Sequence, residues 1–235
     1  MPVRLYYSIP GRAFVTTRLR TMRCMAEVPA DRCWHWLFHA ESAGLDIGAG
    51  YEAVPEERRP VILGWIRFPK TGGMTIQTTS AQRASAAARF FGPQLGPEVV
   101  ALRVRVVNRC FAADEGHPDD LLKTLDRDVT VVDPREAEAE HARDLRGVRT
   151  MEDLERASKA SLDRRLKSKK DVPMVEDFPL APEEETPDLR DLAMTLRLRV
   201  VRALEHWNGN THLTLAAIIM RMVEEEMRKR EAAER

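Results

Sequence analysis

Apolar and polar positions alternate most regularly between residues 61 and 107, and the period changes twice along the way. "VILGWIRF" (61–68) and "MTIQTT" (74–79) read as strands joined at "KTGG", a hairpin with a glycine-rich turn. In "TSAQRASAAARFFGPQLG" the period becomes helical. Thr79 and Gln82 stand in capping-box spacing, and Ala84, Ala87, Ala88, Phe91 and Leu95 share one face. "EVVALRVRVV" (98–107) returns to strict alternation as a third strand, so the unit reads β-β-α-β.

The flanking segments are less uniform. "VRLYYS" (3–8) reads as a strand, and "AFVTTRLRTMRCMAEV" (13–28) fits a helix and a strand about equally. "DRCWHWLFHAESAGL" (31–45) predicts a helix, capped by Asp31, striped by Cys33, Trp34, Leu37 and Phe38, and stopped at Gly44. A short helix opening at Pro118 and a strand in "DVTVVD" (128–133) follow.

Beyond Pro134 the chain turns helical and highly charged to about residue 170. "VPMVEDFPLAPEEETP" (172–187), with four prolines and an acidic block, reads as an extended linker or strap. Two helices, 188–206 and 211–231, meet at "WNGN", where Gly209 suits a helix C-terminus and Asn210 or Thr211 caps the next helix.

This gives an α/β (α+β) fold: a mostly antiparallel sheet with a ββαβ unit and packed helices, plus a C-terminal helical hairpin. The expected division is 1–133 for the α/β domain, 134–187 for the charged helix and strap, and 188–235 for the hairpin docked back on it. From Leu213 to Val223 only Thr214 and Arg221 are strongly polar. A helix apolar on nearly every side is expected to be buried on several sides, with Leu213, Ile218, Ile219 and Met222 facing the domain or a second subunit.

Composition adds a compartment and a charge asymmetry. The N-terminal residues hold no apolar stretch of leader length, and the longest apolar run, "LTLAAIIM" (213–220), is far short of a membrane span. Three widely spaced cysteines fit a reducing, cytoplasmic setting, and the arginine and alanine usage is associated with GC-rich bacterial genomes. The net charge of zero hides a split. Residues 1–110 carry 15 Lys and Arg against 8 Asp and Glu, whereas 111–235 carry 22 against 29. The halves therefore suit each other, or the basic half suits an anionic partner.

Catalytic signatures are missing from the sequence. There is no G-x-S-x-G elbow, P-loop or G-x-G-x-x-G, and Cys110 has no histidine close in sequence. His35 and His39 stand four apart, a zinc-pair spacing on a helix, but Trp36 takes the place of the glutamate in H-E-x-x-H. Cys33 and Cys24 would complete a site only through the fold. The acidic residues Asp114, Glu115, Asp119, Asp120, Asp126, Asp128 and Asp133 have mostly local explanations as first-turn and capping residues. No cofactor is expected.

A sheet face is the more specific candidate. Alternation sets Arg103, Arg105 and Arg109 opposite Leu102, Val104 and Val106, while Trp65 pairs with Arg67, and Thr75 with Gln77, on the neighbouring strands. In suitable register, Trp65, Arg67, Gln77, Arg103 and Arg105 would form one arginine-bearing surface of the kind that holds single-stranded nucleic acid. An acidic segment covering the sheet would require the same surface. The leading expectation is a non-enzymatic assembly protein that engages a protein partner or its own copy. The alternatives are a nucleic-acid-binding module and a metal-dependent enzyme, and no membrane partner is expected.

Overall fold

In the computed structural model, which describes residues 1–47, 50–112, 114–115, 117–133, 139, 142–167, 172–180 and 189–233, the chain first forms β1 (Val3–Ser8), α1 (Arg12–Thr21), β2 (Met25–Val28) and β3 (Cys33–Leu37). The predicted β-β-α-β unit follows as β4 (Ile62–Arg67), β5 (Met74–Thr78), α2 (Ala81–Leu95) and β6 (Val100–Val107). Next come α3 (Pro118–Lys123), a 3₁₀ turn over Thr124–Asp126, β7 (Val129–Val131), α4 (Met151–Lys167) and β8 (Val175–Pro179). The C-terminal helical pair is α5 (Leu189–Trp207) and α6 (Leu215–Ala233).

Among the described residues, the eight strands belong to one sheet, in the order β2-β3-β4-β5-β1-β6-β8-β7. Every pairing is antiparallel except β7 with β8, so the sheet is mixed. The parallel pair is joined by a long crossover that contains α4, as a parallel connection requires.

One face of the sheet carries the core. Val3, Leu5, Trp34, Trp36, Ile66, Ile76, Val104 and Val106 are buried there against α1, α2 and α5. Each side chain of this size stabilises by about 1.5–3 kcal/mol when fully buried. α2 lies close on the strands because Ala84, Ala87 and Ala88 are small, while Phe90 and Phe91 close around Trp36 with ring centroids 5.6 and 5.2 Å away. Its N-cap is Ser80, whose Oγ accepts from Arg83 N at 3.2 Å, one residue beyond the expected Thr79.

Three expectations change. Residues 33–37 are strand rather than helix. Trp34 and Trp36 face the helices while Cys33 and His35 face the other way, and because Cys33 is buried on that second face as well the strand lacks a clean polar–apolar alternation. A register shift opposite Tyr6/Tyr7 turns Ala101 into the core and leaves Leu102 exposed. Finally, part of the strap is β8, an inner strand, so the sheet is completed by residues beyond 133; positions 181–188 of the strap lie outside the described residues.

Helix α6 is also less buried than its composition predicts. Ile218 is fully buried and Leu213 and Met222 are half-buried, but Ile219, Val223 and Met227 are exposed. α6 packs along α5 and α4 rather than inserting between layers. At the corner Gly209 takes φ +94°, a backbone conformation open to glycine, and His206 Nε2 lies 3.2 Å from the Leu213 carbonyl.

Candidate functional site

The sheet's second face is built from two cross-strand rows. One passes through Val131, Asp177, Arg105, Arg4, Gln77, Trp65, His35 and Ala26, one residue from each strand. The next passes through Pro179, Arg103, Tyr6, Thr75, Arg67, Cys33 and Val28. Directly paired residues share a face. Trp65, Arg67, Gln77, Arg103 and Arg105 therefore lie together, while Arg109 falls beyond the end of β6.

The same rows supply partners absent from the sequence reading. Arg4 Nη1 and Nη2 form a fork onto the Asp126 carboxylate at 2.5 and 3.0 Å. With its amide oriented to satisfy both groups, Gln77 accepts from Arg4 Nε and Nη2 at 2.8 and 2.9 Å. Arg103 and Arg105 both donate to Asp177, and Arg105 also reaches Asp126 at 3.2 Å. The Arg103 guanidinium lies 3.7 Å from the Tyr6 ring centroid, a cation–π contact. Arg109 is paired with Glu115. The hydrogen bond from Arg4, above all, holds the Asp126 carboxyl below its ordinary range.

Each of these pairs joins an arginine from the basic half to a carboxylate from the acidic half. Part of this face also carries a second, smaller core. Val107, Leu122, Leu125 and Val175 are buried together, with Trp65, Phe111 and Val129 packed against them. Trp65 thus serves as a packing side chain beneath the α3 segment rather than as an open stacking platform.

A further group occupies the far end of the face, at the β2–β3 hairpin. Asp31, Cys33 and His35 each offer a ligand atom, and these atoms lie within 4.8 Å of one another, the one such group of three among the described residues. Cys33 and His35 come together because they are two apart on a strand, not because of helical spacing. His39 lies beyond β3 at the start of a 3₁₀ turn and is not part of the group. Glu115, Asp120 and Asp126 are drawn to different cations, Arg109, Lys123 and Arg4, and form no shared centre.

Near this hairpin Glu41 accepts from the backbone N–H groups of Arg23 and Cys24 at 3.1 and 2.9 Å. Desolvation pushes its carboxyl upward, but the backbone donors outweigh it and hold the group at about 2. Burial, reinforced by the Glu41 charge, pushes the Cys24 thiol up to about 12.

The chain is an α/β protein with an eight-stranded mixed sheet and a C-terminal helical pair, and no described helix is long and apolar enough to cross a membrane. No protein-family model, curated protein or solved structure matches it.

Proposed function

We propose that this is a non-catalytic assembly protein that pairs with a second copy of itself through α6. The observation that carries this reading is the stripe Ile219, Val223 and Met227. These three large apolar residues, four apart on one helix face, are 43, 47 and 57% exposed. Residues at i, i+4 and i+8 form the ridge through which helices pack, and a ridge of this kind left in water favours association.

The charge order along α6 favours a second copy as the occupant. An acidic turn containing Glu224 and Glu225 is followed by a basic turn containing Arg228 and Lys229. An antiparallel twofold pairing centred between them sets each acidic turn against the partner's basic turn. Three cysteine thiols suit a reducing cytoplasm as the setting.

The arginine-bearing sheet face supports nucleic-acid binding less well, because Arg4, Arg103 and Arg105 are already engaged in ion pairs with Asp126 and Asp177. Sedimentation equilibrium of the full chain tests the assembly reading. The expected result is a dimer that becomes monomeric in Val223→Glu/Met227→Glu with unchanged far-ultraviolet circular dichroism. A wild-type chain that is monomeric throughout the micromolar range would overturn it.

A further inference from the structure

We propose that Asp31, Cys33 and His35 form a binding site for a thiophilic divalent cation, zinc(II) in particular. The donor set is one carboxylate, one thiolate and one imidazole, a combination suited to zinc and its near neighbours rather than to magnesium or calcium. Ligand atoms within 4.8 Å of one another can converge on one ion, since zinc–ligand distances of about 2.0–2.3 Å place tetrahedral ligands about 3–4 Å apart.

The hairpin organises the three. Cys33 and His35 project from the same face of β3, and Asp31 enters from the turn just before it, where Arg32 takes φ +51°. On β2, His35 faces Ala26, a small residue. On β4 it meets the edge of Trp65, with ring centroids 6.4 Å apart at 84°. Arg67, opposite Cys33, donates from Nη1 to the Asp31 carbonyl at 3.3 Å and ties the turn to β4. Its positive charge beside the turn opposes the cation, so the affinity is expected to be moderate.

Burial is graded across the group. Cys33 is buried, His35 is half-buried and Asp31 is exposed, leaving an approach for the ion from the Asp31 side. Three protein ligands leave a fourth position to water, the arrangement of open rather than purely structural zinc sites. On binding, the sulfur–metal bond replaces the Cys33 S–H bond and the proton passes to solvent.

The test uses the full chain, stripped with chelator and then titrated with zinc(II) and, as an optical probe, cobalt(II). The expected result is one equivalent of bound metal and a thiolate-to-cobalt charge-transfer band. Cys33→Ser should abolish the band and Cys110→Ser should retain it. Asp31→Asn, a change at an exposed position that keeps the fold, should weaken zinc binding about tenfold or more, as should His35→Ala. Substoichiometric metal, a cobalt spectrum without the thiolate band, or binding unchanged in Asp31→Asn and His35→Ala would each overturn the proposal, whether or not Cys33→Ser folds. The readout is independent of oligomeric state.

Discussion

Asp177 and Arg105 stand directly opposite each other on β8 and β6, and the carboxylate Oδ2 accepts from Arg105 Nε at 2.9 Å and from Nη2 at 2.7 Å. The Asp177 side chain is 3% exposed and that of Arg105 is 15% exposed, and Arg103 donates to the same oxygen. Removing the carboxylate leaves the nearly buried Arg105 guanidinium without its main counter-charge, beside that of Arg103, which is 42% exposed. Asp177→Ala should therefore lower stability by about 3–5 kcal/mol, the range for stripping one partner from a buried pair. Asp126→Ala, at a site 57% exposed, should cost about 1 kcal/mol or less. Urea unfolding of both variants checks the contrast, and equal losses would count against the assignment of Asp177 as the main counter-charge.

The other face of β8 repeats the arrangement with different arginines. Glu176 accepts from Arg199 Nε at 2.6 Å and lies 3.7 Å from Arg202 Nη2, with all three side chains nearly buried. Desolvation pushes the Arg202 guanidinium below its ordinary value. This triad ties α5 to the sheet and is more directional than stabilising, because desolvation offsets much of the Coulombic gain. Glu176→Ala should cost about 3–5 kcal/mol, whereas replacing the whole triad with Leu, Leu and Met should recover most of that loss. Thermal and urea unfolding of the two variants distinguishes these outcomes, and a triple variant no better than Glu176→Ala would reject the argument.

These two carboxylates also explain why β8 was illegible in the sequence. "VPMVEDFP" is short, acidic and flanked by prolines, a pattern that reads as a strap. It forms a strand because adjacent acids point to opposite faces and each meets arginines supplied from far away, Arg103 and Arg105 on one side, Arg199 and Arg202 on the other. Local patterning carries no trace of such partners. The β-β-α-β unit was legible because its strands have a polar and an apolar face, which imposes the two-residue period. β3 lacks that asymmetry, and the Asp31 and Gly44 signals on either side pointed to a helix. The arginine face followed from alternation alone, but its register with Arg4 and Asp177 did not. Recognising the Asp31–Cys33–His35 group required β3 to be read as a strand.

Gly64 lies tight against the end of β5. A Cβ built there would lie 2.7 Å from the Gln77 carbonyl oxygen and 3.2 Å from Thr78 Cγ2, with Trp36 behind them. The oxygen belongs to the backbone and cannot turn aside, so Gly64→Ala must push the strands apart locally. The expected loss is about 1–3 kcal/mol. Amide exchange should accelerate at the Ile66/Ile76 and Trp65/Gln77 pairings while α6 is unaffected. Wild-type stability in Gly64→Ala would show that the strands do not approach this closely.

The Glu41 contact sets a pH dependence whose sign can be worked out. Its carboxyl is held at about 2 against an ordinary 4.5, so the folded state binds this proton less readily than the unfolded chain. The stabilisation is therefore complete above pH 4.5 and is lost as the pH falls from 4.5 towards 2. Glu41 is exposed, so screening should keep the effect at about 1 kcal/mol or less. Glu41→Gln should be less stable than wild type at pH 6 by that amount, with the two denaturation midpoints converging only as the pH falls through about 2. The same variant should let the Cys24 thiol titrate below its value of about 12, because it removes the adjacent negative charge while leaving the burial. A stability gap that widens on acidification would mean that the Arg23 and Cys24 amides do not hold the ionised carboxylate.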